Sequence, residues 1–172
     1  MDFSDFLTDQ DALVLSRVSE AEDFHEKGPG PAGQQATYRM AQVLPADMLA
    51  AVQGVRSGET RQAADVRFAH AEQIIALAAL LQLPGRTRQQ DADTLFSYDT
   101  NQWRGAQVAP MGSNIQWHVF ADGDGEVIVR MLYNQEQFPV GFDCRPISEG
   151  SFYYADTELQ RCLAAAAGQE AG

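Results

Sequence analysis

The sequence is poor in the residues that most often announce a function. Of its 12 basic residues only Lys27 is a lysine, and histidine occurs three times, at His25, His70 and His118. The two cysteines, Cys144 and Cys162, form no CxxC pair, so the clustered sulfur and imidazole of a zinc site are missing and no metal is expected. The longest nearly apolar run, Ile74 to Leu83, is interrupted by Gln82 and is too short to cross a bilayer. Met1 is followed by Asp2, Asp5 and Asp9 instead of a basic and then apolar leader, so no secretory signal is visible. What abounds is acid: 24 Asp and Glu against 12 Lys and Arg give a formal charge of −12. That field disfavours nucleic acid as a partner, because nonspecific binding depends on neutralising phosphates. It also sets a problem for any polyanionic ligand.

With 172 residues, 45% hydrophobic and 21% charged, the chain has the size and composition to bury a core. Thr8 is placed to cap a helix, with Asp9 and Asp11 at its positive end. The helix should run to about Lys27 with Leu13, Val14, Val18, Ala21 and Phe24 along one stripe. Gly28-Pro29-Gly30-Pro31 ends it. A second helical stretch begins near Ala36, with Pro45 restarting it at a first turn, and continues toward Gly58. From Ala64 the pattern changes. Ala64 to Phe68 reads as a short strand, and Ala71 to Leu83 as a helix apolar nearly all round, as when a helix packs on a sheet. Ile115 to Ala121 and Glu126 to Tyr133 read as strands of a hairpin turned by Asp122-Gly123-Asp124-Gly125. The last helix is expected over Asp156 to Ala167.

The chemistry concentrates at His70-Ala71-Glu72, where the expected strand hands over to a helix. Backbone N–H groups and the helix dipole favour an anion there, and α/β folds place ligands at such junctions. A histidine at that mouth can donate to a phosphoryl oxygen, and Glu72 can offer a proton to a leaving group. Asp122-Gly123-Asp124-Gly125-Glu126 lacks the spaced ligands of a twelve-residue calcium loop and reads as a turn. Phe152, Tyr153, Tyr154, Trp103 and Trp117 read as core. The cysteines leave two readings open, a pair of buried thiols or a disulfide.

Phe68-Ala69-His70-Ala71-Glu72, preceded by Val66-Arg67, resembles the His-Ala-Glu motif of the multiple inositol polyphosphate phosphatases, a phytase-like branch of the histidine acid phosphatases. The segments Phe6 to Asp11, Glu22 to Gly30, Tyr38 to Ala41, Pro110 to Ile115 and Arg130 to Gln135 are similar to the family in the same order. The resemblance implies an α/β fold: the C-terminal part of a phosphatase α/β domain over residues 61–172, preceded over residues 1–60 by part of its inserted helical domain. It implies hydrolysis of inositol polyphosphates through a phosphohistidine, without cofactor or metal. His70 would contact the transferring phosphoryl group, and Glu72 would protonate the leaving hydroxyl. Ala71, Arg67, Lys27 and Arg39 are the further candidates for substrate contact. The sequence departs from the family in one respect: no arginine is followed by histidine, so the Arg-His-Gly-x-Arg-x-Pro motif that carries the nucleophile is missing. An N-terminal segment bearing it is therefore the expected partner, with inositol polyphosphate as substrate. The alternative is a noncatalytic inositol-phosphate-binding module on the same fold. The family and the two cysteines, if Cys144 and Cys162 are bonded, point to a secreted or periplasmic protein.

Overall fold

The computed structural model describes residues 6–60, 62–164 and 166–168. Helix α1 spans Asp9–Glu26, and Thr8 and Asp11 close a reciprocal capping box at its start. A 3-10 turn, Arg39–Gln42, leads into α2, Val43–Arg56. Pro45 is the third residue of α2, where its missing N–H breaks no helical bond. Helix α3 covers Ala71–Leu80, and the four-residue α4 covers Gly105–Val108. Strands β1 (Ile115–Ala121) and β2 (Val127–Tyr133) follow, then β3 (Glu136–Gln137), β4 (Tyr153–Ala155) and α5 (Asp156–Leu163).

Strand β2 is the centre of the sheet. It pairs antiparallel with β1 from Ile115↔Tyr133 to Ala121↔Val127, and with β3 and β4 as well. Asp122 turns the β1–β2 hairpin, its Oδ1 accepting from the N–H groups of Asp124 and Glu126 at 2.9 Å each. Val127, Val129 and Met131 alternate along β2 and enter one apolar cluster with Leu49 and Val52 of α2, Ile75 to Leu80 of α3, and Leu159 and Leu163 of α5. Helix and sheet thus share a single core, and α3 is buried along most of its length, as its nearly uniform apolarity requires. Phe24 stacks on Phe96 with ring centroids 4.4 Å apart and meets Trp103 edge-on at 5.5 Å, joining α1 to the same core.

Two expectations change. Residues 64–68 form no strand: among the described residues nothing pairs with them, and the sheet is antiparallel throughout. The β-like alternation is present in the sequence, but a strand exists only when a neighbour takes its N–H and C=O groups. Val66 is 66% exposed and Phe68 95% exposed as a result. In α1 the expected stripe holds at Phe24, which is buried, and fails at Leu13, Val14 and Val18, which are exposed, while Glu20 is buried in their stead. The Glu20 carboxylate accepts from Gly105 N at 2.5 Å, so a charged residue turns inward to receive the start of α4.

Cys144 and Cys162 are joined in a disulfide, Cα to Cα 5.3 Å, which ties the loop after β3 to α5. Asp156, at the start of α5, is buried with its side chain 0% exposed. It accepts two bonds from Arg56 of α2, at 2.5 and 2.8 Å.

Candidate active site

The site is assembled from the start of α3 and the end of α1. His70 is the N-cap of α3, in extended conformation with φ −78 and ψ 164, and its ring makes no capping bond. The ring is 92% exposed, and Nδ1 lies 3.9 Å from Glu72 Oε2, whose side chain is 41% exposed. Ala71 begins the helix, and its side of the first turn is open to solvent. An imidazole, a carboxyl and the first N–H groups of a mostly buried helix therefore meet at one surface. Such a constellation can bind an anion and exchange a proton with a bound oxygen.

The chain leading to His70 is fastened through Arg67. Its guanidinium donates to Asp47 of α2 at 2.7 Å and to Asp65 at 3.0 Å. Arg67 thus sits beside the site with its charge already matched by two carboxylates. Arg39, in the 3-10 turn that packs on α3, reaches Gln42 at 3.5 Å and is exposed. No described bond joins Arg39 to His70 or Glu72.

Lys27 is the C-cap of α1, and its Nζ bonds Glu26 Oε2 at 2.9 Å. That bond, reinforced by the charges of Glu26, Asp23 and Glu72 against a smaller cost of burial, holds the ammonium above the usual lysine range. Asp23, one turn earlier, is pushed above the ordinary aspartate value, chiefly by burial. The neighbouring charges of Glu20, Glu72 and Glu22 push the same way, and Lys27 opposes them. Asp23 and Lys27 of α1 and Glu72 of α3 are thus one electrostatic group. Sequence reasoning chose Lys27 and missed Asp23, whose only signal was its spacing four residues before Lys27, one helical turn.

The remaining histidines stand elsewhere. His25 is exposed and meets the Phe24 ring edge-on at 5.2 Å. His118, on β1, accepts at Nδ1 from Arg130 at 2.9 Å and donates from Nε2 to Gln116 Oε1 at 3.1 Å. A cavity of about 180 Å³ lies beyond the far end of α3, lined by Leu83, Arg86, Tyr133 and Phe138 among others, and does not touch His70.

The helical body on an antiparallel sheet is matched by known proteins. The family description "Histidine phosphatase superfamily (branch 2)" fits residues 1–134, and the chain belongs to that family. It is similar to the Bifidobacterium longum multiple inositol polyphosphate phosphatase. In the structure of that protein with inositol hexasulfate, identity is 43% and the TM-score 0.82, over 96% of this chain and 34% of that one. In its apo form, identity is 42% and the TM-score 0.80, over 95% of this chain and 35% of that one. A phytase from D. castellii shares the fold alone, at 15% identity with a TM-score of 0.54, over 89% of this chain and 33% of that one. The chain thus spans about a third of the length of these relatives. A search of curated proteins gave no match.

Proposed function

We propose that the chain supplies the phosphate-binding histidine and the proton donor of a phosphatase acting on inositol polyphosphates, and that the nucleophilic histidine comes from another segment. The reading assigns residues 1–60 to part of an inserted helical domain and 61–172 to part of the α/β domain. In the reaction, the nucleophile attacks phosphorus while the bond from phosphorus to the inositol oxygen breaks. Glu72 gives its proton to that leaving oxygen, and His70 with the first N–H groups of α3 takes the charge on the phosphoryl oxygens. Water then attacks the phosphohistidine, and Glu72, now a carboxylate, receives its proton. Arg67, Lys27 and Arg39 would meet the outlying phosphates.

The observation that carries this reading is the free imidazole of His70 beside Glu72, at the mouth of α3, in a chain similar to a phosphatase whose structure contains inositol hexasulfate. The disulfide supports a place outside the cytoplasm. Among the described residues no helix is long and apolar enough to cross a membrane. The test is to express the chain joined to a segment bearing the nucleophile motif and to follow phosphate release from inositol hexakisphosphate. Glu72→Gln should lower kcat roughly a hundred- to ten-thousand-fold, and the chain alone should release no phosphate. Turnover indifferent to that substitution would remove Glu72 from the chemistry.

One observation favours a second reading, a noncatalytic module: no arginine in the sequence is followed by histidine. Tight binding of inositol hexakisphosphate by a well-folded chain alone, measured by calorimetry, would select it.

A further inference from the structure

We propose that Gln89 is a positioning residue that sets the direction of Lys27 toward substrate. The proposal rests on the reading of Lys27 as a substrate contact. Lys27 itself has left helical geometry, with φ −138 and ψ −20, so α1 no longer dictates where its side chain points. Its N–H and that of Gly28 both donate to Asp23 O, at 3.1 and 2.7 Å. Past that point the direction of the chain depends on the loop that follows.

That loop has little means of holding itself. Pro29 and Pro31 have no N–H to give, and Gly30 adopts φ +63. Within the loop Gln34 N donates to Pro31 O at 3.1 Å, and further carbonyl groups need outside donors, the more so because Gly28, Pro29 and Gly30 are buried. The Gln89 amide brings two N–H bonds in among three of them. Its Nε2 lies 2.9 Å from Pro29 O, 3.0 Å from Pro31 O and 2.9 Å from Gln34 O. Its Oε1 accepts from Gly33 N at 3.3 Å. Three carbonyl oxygens around one nitrogen fix which end of the amide faces them, since the reversed group would set oxygen against oxygen.

The anchor is itself held in the body of the protein. The backbone of Gln90 donates to Gly30 O at 3.1 Å and accepts from Ala32 N at 2.7 Å. Its side chain accepts from the buried Asn101 at 3.2 Å. On the other side, Thr37 donates to Gly28 O at 2.7 Å. A Cβ on Gly28 would lie 2.9 Å from the Trp103 ring, so the loop enters against an indole with no slack. Lys27 stands between the end of α1 and a loop that one side chain gathers, more than sixty positions later in sequence than Lys27 itself.

Gln89→Glu keeps the shape and turns the donor into an acceptor facing three carbonyls. The experiment uses the chain joined to its nucleophile segment and reads inositol hexasulfate affinity by calorimetry. It adds the ratio of KM for inositol hexakisphosphate to KM for p-nitrophenyl phosphate. Loss of one charge contact predicts that Lys27→Met weakens hexasulfate binding about fivefold. Gln89→Met, which removes the amide and adds no charge, should weaken it similarly, raise the same KM ratio, and add nothing in a Lys27→Met background. Gln89→Asn, which keeps the amide on a shorter stem, should fall between Gln89→Met and the native protein, and Gln89→Glu should weaken binding further, because its carboxylate also repels the sulfates. Should Gln89→Met fail to fold, Gln89→Asn carries the same comparison. An equal factor from Gln89→Met or Gln89→Asn in both backgrounds, or an unchanged KM ratio, would reduce Gln89 to a structural staple and overturn the proposal. Lys27→Met that binds hexasulfate like the native protein would overturn the reading of Lys27 and this proposal together.

Discussion

Phe68 offers a test whose outcome depends on what surrounds the chain. Its ring lies two residues before His70 and is 95% exposed, in a stretch that pairs with nothing among the described residues. Replacing it by serine in the chain alone should change folding stability by no more than about 0.5 kcal/mol, because an exposed ring contributes little. If the nucleophile segment covers it, the same ring leaves water. An aromatic side chain that buries about 150–200 Å² at roughly 25 cal/mol per Å² contributes about 4–5 kcal/mol. Phe68→Ser should therefore cost several kcal/mol in the joined protein and almost nothing in the chain alone. Urea unfolding of both forms, followed by tryptophan fluorescence, gives the two differences directly. Sedimentation of the isolated chain supplies a companion measurement, since Val66 and Phe68 together form a sticky exposed patch and the substitution should reduce self-association. A cost above about 2 kcal/mol in the isolated chain, or none in the joined protein, would refute the reasoning that this segment awaits a neighbour.

Asp156→Ala removes both bonds that Arg56 makes to a buried carboxylate, but the guanidinium left behind is 37% exposed and keeps Glu126 at 4.0 Å. It should cost about 1–3 kcal/mol in chemical unfolding, against less than about 1 kcal/mol for removing the exposed Arg17–Asp99 pair. Replacing Cys144 and Cys162 together by serine opens a loop of sequence separation 18 and should remove about 3 kcal/mol, read as a lowered unfolding midpoint that reductant reproduces in the native chain. Arg161 and the Arg145 N–H hold the Glu158 carboxyl at about 2, below its ordinary 4.5. A depressed carboxylate stabilises the fold above its unfolded value and loses that contribution as pH falls from 4.5 through about 2, so Glu158→Gln should be less stable than the native chain at pH 7 and draw level with it only below about pH 2. A difference that persists in acid would assign the effect to packing.

The parts of the fold that were legible in sequence are those fixed by neighbours in sequence. Thr8 announces an N-cap, Gly28-Pro29-Gly30-Pro31 stops α1, and Asp122 to Gly125 turns a hairpin whose strands differ from expectation by one residue. The elements that were missed are short and exist through distant partners. Strand β4 is three residues long and is a strand because Ile128 to Arg130 of β2 pair with it. Glu20 carries no local signal of burial, and it turns inward because Gly105, 85 positions away, supplies an N–H for it. Residues 64–68 show the converse, a strand pattern without a partner. In the candidate site, the order strand, histidine, helix pointed to His70 and Glu72, and the helix start stands where it was expected. The effect of Glu72 on Asp23 and Lys27 depends on where the fold sets the end of α1 relative to the start of α3, which no local spacing encodes. The cysteines fitted two readings equally, and only the fold brings their Cα atoms to 5.3 Å.

Against a charge of −12, several of the 12 basic residues are spent on pairings within the chain. Arg17 faces Asp99, Arg56 faces Asp156 and Glu126, Arg67 faces Asp47 and Asp65, and Arg161 faces Glu158 and Asp143. Arg104 spends its guanidinium on the carbonyl groups of Tyr98, Asn101 and Trp103. These pairings cancel most of the attractive field that the cations would offer a ligand carrying several phosphates, and Arg67, 36% exposed, keeps only a part of its charge for one. Beside Glu72 stands Lys27, itself surrounded by Glu26 and Asp23. A polyanion brought to His70 by this chain alone would meet more repulsion than attraction, and repulsion of that kind slows encounter as well as weakening binding. If inositol polyphosphates are the substrate, most of the positive field must therefore arrive with the segment that carries the nucleophile. Binding and chemistry would then be completed by the same event.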